Sequence, residues 1–375
     1  MHISSQFDSG NIRVINADSP ENITLAINND NQSDFYQWFH FRLFSETFVA
    51  HKITITELAK SAYPDGWKDY NVLASYDRQT WFRVDSEFDG DNLSFEVTLE
   101  QPSIIFAYFV PYSYERHLDL VGDAQMFLDC EHRLLGQTLD GRDLSMLVIG
   151  DEAEHKKKVW ITARQHPGES MAQWCAEGLI YRLLDEEDGL SRQLLEQATF
   201  YIIPNMNPDG SARGHLRTNA VGTNLNREWA EPTEDKSPEV LYTLQAMDTI
   251  GVDMYLDLHG DEALPYNFVA GSEGIPSYDD RLKMLEDNFK QALLTVTPEF
   301  QDEHGYPKDK PGEANLTVAS NAVGERFHCL AYTFEMPFKD NDNLPDPVFG
   351  WSAQRCQQLG EDILVAIRAV VPDLR

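Results

Sequence analysis

The order of apolar and polar residues divides the chain into two parts with different periodicities. In the first part, short stretches of alternating apolar and polar side chains are separated by turns rich in Asp, Asn, Gly and Pro. Seven or more short strands at this spacing predict an all-β antiparallel sandwich. The stretches cover residues 12–16, 22–27, 38–44, 48–58, 81–84, 93–99 and 103–109.

The second part begins after a turn at residues 111–114, where strand patterns start to alternate with helical ones. This alternation predicts an α/β domain built on a sheet. Because no flexible linker and no internal repeat stand out, we expect two domains packed together, at residues 1–113 and 114–375. The predicted strands cover 145–149, 159–164, 199–204, 253–258, 267–270 and 332–336, and the predicted helices cover 171–184, 238–250, 278–295 and 353–371.

Composition limits the classes of function. The chain has 375 residues, of which 42% are apolar, enough for a sizeable core. Its 62 acidic and 30 basic residues give a formal charge of −32. Such a charge argues against binding to nucleic acids or to anionic membrane surfaces, which basic residues would have to neutralise.

Cysteine usage and the first residues indicate a cytoplasmic protein. The four cysteines are scattered and form no Cys-x-x-Cys pair, as expected of reduced structural thiols. The first 16 residues lack the apolar segment of a signal peptide, and no apolar run reaches transmembrane length. Nothing in the sequence indicates the oligomeric state.

His166 and Glu169 lie three residues apart, where a strand pattern gives way to a helical one. In open α/β sheets the ligand crevice lies beyond the carboxyl ends of the strands, so this pair could converge with donors from neighbouring strands. Alone, a His-x-x-Glu pair is a weak signal and is more often a surface ion pair than a metal site.

Other motifs strengthen the interpretation of a metal site. A buried-strand pattern ends at His259, and Glu335 lies inside an apolar strand pattern, where a carboxylate is unfavourable unless the chemistry requires it. Between them and the first pair lies a long polar loop, a kind of segment that is often functional. That loop contains Arg217, Asn226 and Arg227.

Two histidines, one carboxylate and an open fourth position are typical of a catalytic zinc site, not a structural one. Glu335 is then the candidate general base toward water and the later acid toward a leaving amine. Arg217 and Arg227 could stabilise an oxyanion and bind a substrate carboxylate. The candidate metal donors are His166, Glu169 and His259.

Together these motifs resemble the M14 zinc carboxypeptidases, and the resemblance covers nearly the whole chain. The motifs are His-Pro-Gly-Glu-Ser at 166–170, Asn-Leu-Asn-Arg-Glu-Trp at 224–229, Leu-Asp-Leu-His-Gly at 256–260 and Tyr-Thr-Phe-Glu at 332–335. The preceding β domain, with Tyr-Gln-Trp-Phe at 36–39, is similar to the cytosolic carboxypeptidase branch, in a bacterial form. The resemblance implies a mixed-sheet zinc carboxypeptidase domain after the β-sandwich.

The resemblance also implies an activity and a set of roles. The activity is zinc-dependent hydrolysis of the C-terminal peptide bond of peptides or protein tails, with one zinc ion per chain. The implied roles are metal binding by His166, Glu169 and His259, catalysis by Glu335 and Arg217, and binding of the substrate's terminal carboxylate by Asn226 and Arg227.

Some roles stay open at this point. A preference for acidic terminal residues, which the resemblance implies, would need a cation in the specificity pocket, and the candidates are Lys308, Lys310 and Arg326. The tyrosine that closes over the substrate in many relatives has no clear match. Tyr306 and Tyr266 are the candidates for that tyrosine.

Asp257 lies two residues before His259 on the same strand face. It could orient that histidine, or it could cap the neighbouring loop.

Two other functions share parts of the pattern. An amidohydrolase of N-acyl amino acids, of the aspartoacylase type, would use the same metal site and an Asn-Arg pair. A non-catalytic protein that binds peptide termini would keep the pocket, but the intact Glu335 argues against it. The large β domain and the Tyr-Thr-Phe-Glu strand favour the peptidase.

Overall fold

Ten strands within the first 107 residues form two sheets in a computed structural model that describes residues 1–375. The strands are β1 (His2–Ser4), β2 (Arg13–Ser19), β3 (Asn22–Ala26), β4 (His40–Phe44), β5 (Ala50–Ile55), β6 (Val72–Ser75), β7 (Phe82–Val84), β8 (Ser86–Phe88), β9 (Leu93–Thr98) and β10 (Ser103–Ala107). One five-stranded sheet has the order β1-β4-β10-β6-β7 and the other the order β2-β3-β5-β9-β8.

The two sheets pack their apolar faces together. Phe106 of β10 and Phe95 of β9 meet in this core, with ring centroids 5.2 Å apart. All strand pairs are antiparallel except β3 and β5, in which Ile23 lies opposite Ile53 in parallel register. The predicted β domain is therefore confirmed, and it contains one parallel pair that an alternating pattern cannot distinguish from an antiparallel one.

The rest of the chain folds around a seven-stranded mixed sheet. Its strands are β11 (Cys130–Gln137), β12 (Asp143–Ile149), β13 (Lys157–Ala163), β14 (Ala198–Ile203), β15 (Met254–Asp261), β16 (Phe268–Ala270) and β17 (Leu330–Pro337). Their order is β11-β12-β14-β13-β15-β17-β16, and the four strands β14, β13, β15 and β17 run parallel to one another. The mixed-sheet α/β fold that the sequence predicts is confirmed.

Helices cover both faces of this sheet. They are α1 (Tyr114–Ala124), α2 (Ser170–Leu183), α3 (Gly189–Gln197), α4 (Pro208–Arg213), α5 (Pro238–Ile250), α6 (Asp280–Val296), α7 (Ala319–Phe327) and α8 (Ala353–Val370). Val159 and Ile161 of β13 share a core with α2, α6 and α8, whereas Trp160 shares a second core with α5 and α7. A strand buried on both faces reads as a continuous apolar run, which is why the central strands were readable from the sequence.

Some elements are absent from the predicted pattern. The edge strand β11 is mostly half-exposed and has a bulge between Leu134 and Gly136, so its alternation is interrupted. Helix α7 begins with Ala-Ser-Asn-Ala and has no long apolar stripe. The short strands β1, β6 and β8 and the helices α1, α3 and α4 were also not predicted.

The two domains are in contact. Tyr108 stacks on Phe338 with ring centroids 4.7 Å apart. The Arg83 guanidinium donates to the carbonyl oxygens of Phe338 at 2.8 Å and Lys339 at 2.7 Å. These contacts agree with the packed arrangement expected from the missing linker. No helix has both the length and the apolar character needed to cross a membrane.

Candidate active site

The first two predicted metal donors lie in the tight turn that joins β13 to α2. Arg164 begins the turn in the left-handed region, with φ 60°. Its guanidinium holds this backbone by donating to the carbonyl oxygens of Pro167 and Tyr112, each at 2.8 Å. Glu169 is the N-cap residue of α2, but its side chain caps no helix N–H. Its carboxylate is therefore available to the two histidine rings.

The three predicted donors converge. His166 Nδ1 lies 2.7 Å from Glu169 Oε1, and His259 Nδ1 lies 2.8 Å from Glu169 Oε2. The two Nδ1 atoms are 3.2 Å apart, and the ligand atoms of all three residues lie within 4.8 Å of one another. Nitrogen donors about 2.0–2.1 Å from one tetrahedral zinc ion lie roughly 3.3 Å apart, so this donor set fits such an ion.

Each histidine ring is held at its opposite nitrogen. His259 Nε2 lies 2.7 Å from Asp257 Oδ2, and His166 Nε2 lies 3.1 Å from Asn224 Oδ1. Asp257 is itself fixed by Thr162, whose hydroxyl donates to Oδ1 at 2.7 Å. Of the two roles open for Asp257, the structure therefore places it as the partner of His259. Contacts of this kind fix the ring orientation and the tautomer of a metal-binding histidine.

Burial and charge set the protonation of these groups. Burial, helped by the nearby charge of Arg217, lowers the pKa of His166 to about 4. Burial alone would raise the pKa of Glu169, but His166 and His259 outweigh it and lower that pKa. Burial also opposes a charge on His259, yet Asp257 and Glu169 raise its pKa well above the ordinary value. A neutral His166 and an ionised Glu169 are the forms that bind a metal.

Glu335 is brought to the same place by the sheet. It lies in β17 directly opposite His259 of β15 in parallel register, and it is only 5% exposed. Its Oε2 atom is buried and has no hydrogen-bond partner. Burial raises the pKa of Glu335 to about 8, with His259 acting against this shift. A buried carboxyl group with an unpartnered oxygen is suited to proton transfer.

Arg217 and Arg227 both line the cleft, and no carboxylate forms an ion pair with either guanidinium. Arg217 lies over the rings of Tyr63 and Phe35, at 5.3 and 5.7 Å from their centroids. Two arginines without a carboxylate partner in one cleft leave a site for an anion.

Asn226 lies beside Arg227 in a short 3₁₀ turn, Leu225–Arg227. The Ala319 N–H donates to its Oδ1 at 2.8 Å. This contact orients the amide group, so that its nitrogen is the atom left to donate into the cleft.

The cleft has a volume of about 640 Å³ and contains residues that the sequence did not single out. Tyr63 comes from the first domain, Glu262 follows β15, and Lys290 belongs to α6. Burial, with Glu169 nearby, raises the pKa of Glu262 well above its ordinary value. Glu262 lies three residues after His259 in the sequence but carries no motif of its own, whereas Tyr63 and Lys290 are brought to the cleft only by the tertiary fold.

The open candidates are separated by their positions. Lys308 lines the cleft and pairs there with Glu273 at 2.7 Å. Arg326 was a wrong candidate for the pocket, because it lies outside the cleft lining and its guanidinium donates to both carboxylate oxygens of Asp248. Lys310 is exposed and also lies outside the cleft lining.

Of the two tyrosine candidates, Tyr306 lines the cleft and donates to Asp261 Oδ2 at 2.7 Å. Tyr266 stacks on His304, with ring centroids 4.4 Å apart, and is not part of the lining.

Comparison with known families and proteins agrees with both domains. Residues 3–109 match the cytosolic carboxypeptidase N-terminal domain, and residues 129–349 match the zinc carboxypeptidase family. Cytosolic carboxypeptidase 6 of Caenorhabditis elegans is 26% identical over 376 aligned residues, which cover 89% of this chain and 78% of that protein.

Solved bacterial structures are more similar. A metallo-carboxypeptidase from Burkholderia cenocepacia is 48% identical with a TM-score of 0.97, and 99% of each chain is covered. A metallo-carboxypeptidase from Pseudomonas aeruginosa, crystallised with (2-guanidinoethylmercapto)succinic acid, is 46% identical with a TM-score of 0.98, and both chains are fully covered. The chain therefore belongs to the M14 family of zinc carboxypeptidases, as a metallocarboxypeptidase of the cytosolic carboxypeptidase branch.

Proposed function

We propose that the cleft removes one amino acid at a time from the carboxyl terminus of a peptide or protein tail. The observation that carries this proposal is the meeting of three groups in one cleft: the His166-Glu169-His259 donor set, the buried Glu335, and two arginines without ion-pair partners. The donor set can hold a metal that polarises the amide carbonyl, Glu335 can carry the proton, and the arginines can bind the developing charge and the terminal carboxylate.

In this proposal His166, Glu169 and His259 hold one zinc ion per chain. Zinc supplies a Lewis acid that polarises a carbonyl group and lowers the pKa of water. Glu335 takes the proton from the attacking water and passes it to the leaving amine, for which its unpartnered Oε2 is available.

Arg217 stabilises the charge that develops on the carbonyl oxygen. The terminal carboxylate of the substrate accepts from the Arg227 guanidinium and the Asn226 amide nitrogen, a planar set of donors suited to a carboxylate. In this proposal Tyr306, rather than Tyr266, covers a bound substrate, since of these two candidates Tyr306 alone lines the cleft.

A preference for acidic terminal residues is supported by two lysines in the cleft. Lys308 pairs with Glu273 at 2.7 Å, and the buried Lys290 pairs with Asp302 at 3.3 Å. An acidic substrate side chain would take the place of one of these carboxylates as the partner of a lysine.

A basic terminal residue is the second candidate, and specific observations favour it. The cleft lining contains Glu303 and Asp309 besides the two paired carboxylates, so acids outnumber lysines there. The Pseudomonas relative was crystallised with a compound that carries a guanidino group as well as a succinate.

The decisive experiment is release of free amino acids from a peptide library with randomised carboxyl termini by the zinc-loaded protein, with Glu335→Gln as control. Release of Glu and Asp supports the acidic preference, and release of Arg and Lys supports the basic one. Hydrolysis of N-acetyl-aspartate without peptide cleavage would identify an amidohydrolase of N-acyl amino acids. No hydrolysis of either class by protein that holds zinc would identify a non-catalytic binder of peptide termini.

We also propose a cytoplasmic location, supported by four cysteines that form no disulfide.

A further inference from the structure

The loop that carries Arg217 is held by a residue of the other domain. Asp30, between β3 and β4, is only 2% exposed. Its Oδ1 accepts from Leu216 N at 2.7 Å, and its Oδ2 accepts from Arg217 N at 2.8 Å and Thr218 N at 2.9 Å. The Thr218 hydroxyl also donates to Oδ2, at 3.0 Å, which makes four hydrogen bonds to this carboxylate.

The buried Asp30 carboxylate accepts four hydrogen bonds from residues 216–218, so it is a specific binding partner of this loop. Three successive backbone N–H groups that point to one side form an anion-binding concavity, and bonds to an ionised acceptor are about twice as strong as neutral ones. No lysine or arginine forms an ion pair with Asp30, so the backbone of residues 216–218 is its counterpart. Asp30 is itself fixed, since its N–H donates to the Phe35 carbonyl oxygen at 2.8 Å.

Neighbouring residues of the first domain extend the contact along the same loop. The Asn31 side chain donates to the Ala220 carbonyl oxygen at 2.6 Å, and the Asn11 side chain donates to the Gly214 carbonyl oxygen at 2.9 Å. On the cleft side, the first domain supplies Phe35 and Tyr63, whose rings lie under the Arg217 guanidinium. The first domain thus contacts both the backbone and the side chain of this arginine.

The backbone beside Arg217 has further hydrogen bonds within the second domain, from the Gly168 N–H to the Leu216 carbonyl oxygen at 2.8 Å and between His215 Nδ1 and the Thr218 carbonyl oxygen at 3.0 Å, but neither involves Arg217 itself. Arg217 lies outside every helix and strand, in the segment between α4 and the 3₁₀ turn Leu225–Arg227. Its guanidinium has no hydrogen-bond partner in the protein. Arg217 itself is held by the hydrogen bond from its N–H to Asp30 and by the contacts of its guanidinium with the two aromatic rings.

We propose that Asp30 is a positioning residue for Arg217, and that the first domain completes the active site of the second through this contact. The proposal rests on the proposed function for the role of Arg217 as the donor to the oxyanion. It gives the β-sandwich domain a part in catalysis without any contact between Asp30 and the substrate.

A double-mutant cycle tests this link. Asp30→Ala should lower kcat roughly 10- to 100-fold, part of the 100- to 1,000-fold that removal of an oxyanion donor costs, and should change KM by less than about 3-fold. In the Arg217→Ala background, Asp30→Ala should have no further effect on kcat. Independent effects that multiply in the double variant would overturn the proposal.

Two further variants serve as a control and as a conservative substitution. Asp34→Ala removes an exposed carboxylate from the same segment and should leave kcat unchanged. Asp30→Asn keeps the side-chain volume but turns one acceptor into a donor that faces N–H groups, so it tests the charge if Asp30→Ala does not fold. It should reproduce the loss of kcat with unchanged zinc content, and unchanged kcat in this variant would contradict the proposal.

A second readout does not depend on the activity. With the Thr218 N–H released from Asp30, trypsin should cleave after Arg217 at least about 10-fold faster in Asp30→Asn than in the wild-type protein or Asp34→Ala, because proteolysis follows local opening. Cleavage after the exposed Arg227 is the internal reference. If the wild-type protein hydrolyses no peptide, the proposed function fails while this comparison still decides the contact. Equal cleavage rates after Arg217 would show that Asp30 does not hold the loop.

Discussion

His259 and Glu335 lie opposite each other on the neighbouring parallel strands β15 and β17. Register partners in a sheet point their side chains to the same face, so the backbone hydrogen bonds of the sheet fix one candidate metal ligand relative to the candidate general base. Both residues are almost fully buried, which leaves their side chains little freedom. A site on adjacent strands is held more firmly than one on loops.

Glu335→Gln should keep zinc binding and lose nearly all turnover. The substitution removes the proton carrier but none of the three donors, and glutamine has nearly the same shape. We expect kcat to fall by a factor on the order of 100 to 10,000, the usual contribution of general acid–base catalysis. Metal analysis and peptide hydrolysis on the same samples measure the two effects.

The matched control for this experiment is Glu313→Gln, which changes an exposed glutamate outside the cleft lining and should behave like the wild-type protein. Substantial activity in Glu335→Gln would remove Glu335 from the mechanism.

Residues with a local chemical signature were readable from the sequence. Glu335 stands out as a carboxylate in an apolar strand, and His166 with Glu169 marks the end of another strand. Both patterns are visible because buried charges are unfavourable without a partner.

Residues that reach the site through the tertiary fold were not readable. Tyr63 and Asp30 lie more than 100 residues before Arg217, the residue that both contact. Their neighbours in the sequence show ordinary strand and turn patterns. The sequence also did not predict the parallel pairing of β3 with β5 or the bulged edge strand β11. Both features depend on which strands become neighbours in the folded protein. The domain boundary between residues 113 and 114 stays a prediction.

Arg217→Ala should lower kcat about 100- to 1,000-fold if the guanidinium stabilises the oxyanion. Because that interaction exists only in the transition state, kcat and kcat/KM should fall together. Steady-state kinetics on one peptide substrate separate the two constants. A rise in KM with unchanged kcat would instead assign Arg217 to ground-state binding of the substrate.

Arg227→Ala should abolish the preference for a free carboxyl terminus. The wild-type protein is expected to hydrolyse a free-acid peptide much faster than its carboxyamide, because only the acid pairs with Arg227 and Asn226. In the variant hydrolysis of the acid should slow by roughly 10- to 150-fold while hydrolysis of the amide changes little, since a hydrogen bond to a charged group contributes about 1.5–3 kcal/mol. Equal slowing of both peptides would place Arg227 elsewhere in the mechanism.

Asp257→Asn should weaken zinc binding about 10- to 100-fold. Asp257 faces His259 Nε2 at 2.7 Å and raises the pKa of that ring, which makes the opposite nitrogen a stronger donor. An amide keeps the hydrogen-bonding shape and removes the charge. Competition with a chelator measures the affinity, and Asn224→Ala, which removes a neutral acceptor from His166, should have the smaller effect. Unchanged affinity in Asp257→Asn would leave Asp257 a purely structural role.

Glu239, which is not part of the cleft lining, should make the protein less stable as the pH rises. It is almost fully buried at the start of α5, its Oε1 has no hydrogen-bond partner, and burial raises its pKa to about 8. The folded protein then keeps a proton that the unfolded chain releases near its ordinary value of 4.5. Between these two pKa values the unfolded state binds fewer protons, so the free energy of unfolding falls with increasing pH.

Glu239→Gln has no titrating group at this position, so its free energy of unfolding should not fall with pH for this reason. We expect the variant and the wild-type protein to differ little in stability at pH 4.5. By pH 8 the variant should be more stable by an amount on the order of 2–4 kcal/mol, since each unit of pKa shift corresponds to about 1.4 kcal/mol. Urea unfolding of both proteins across this range measures the difference, in which the titration of all other groups cancels. A difference that does not change with pH would show that Glu239 has the same pKa in the folded and the unfolded protein.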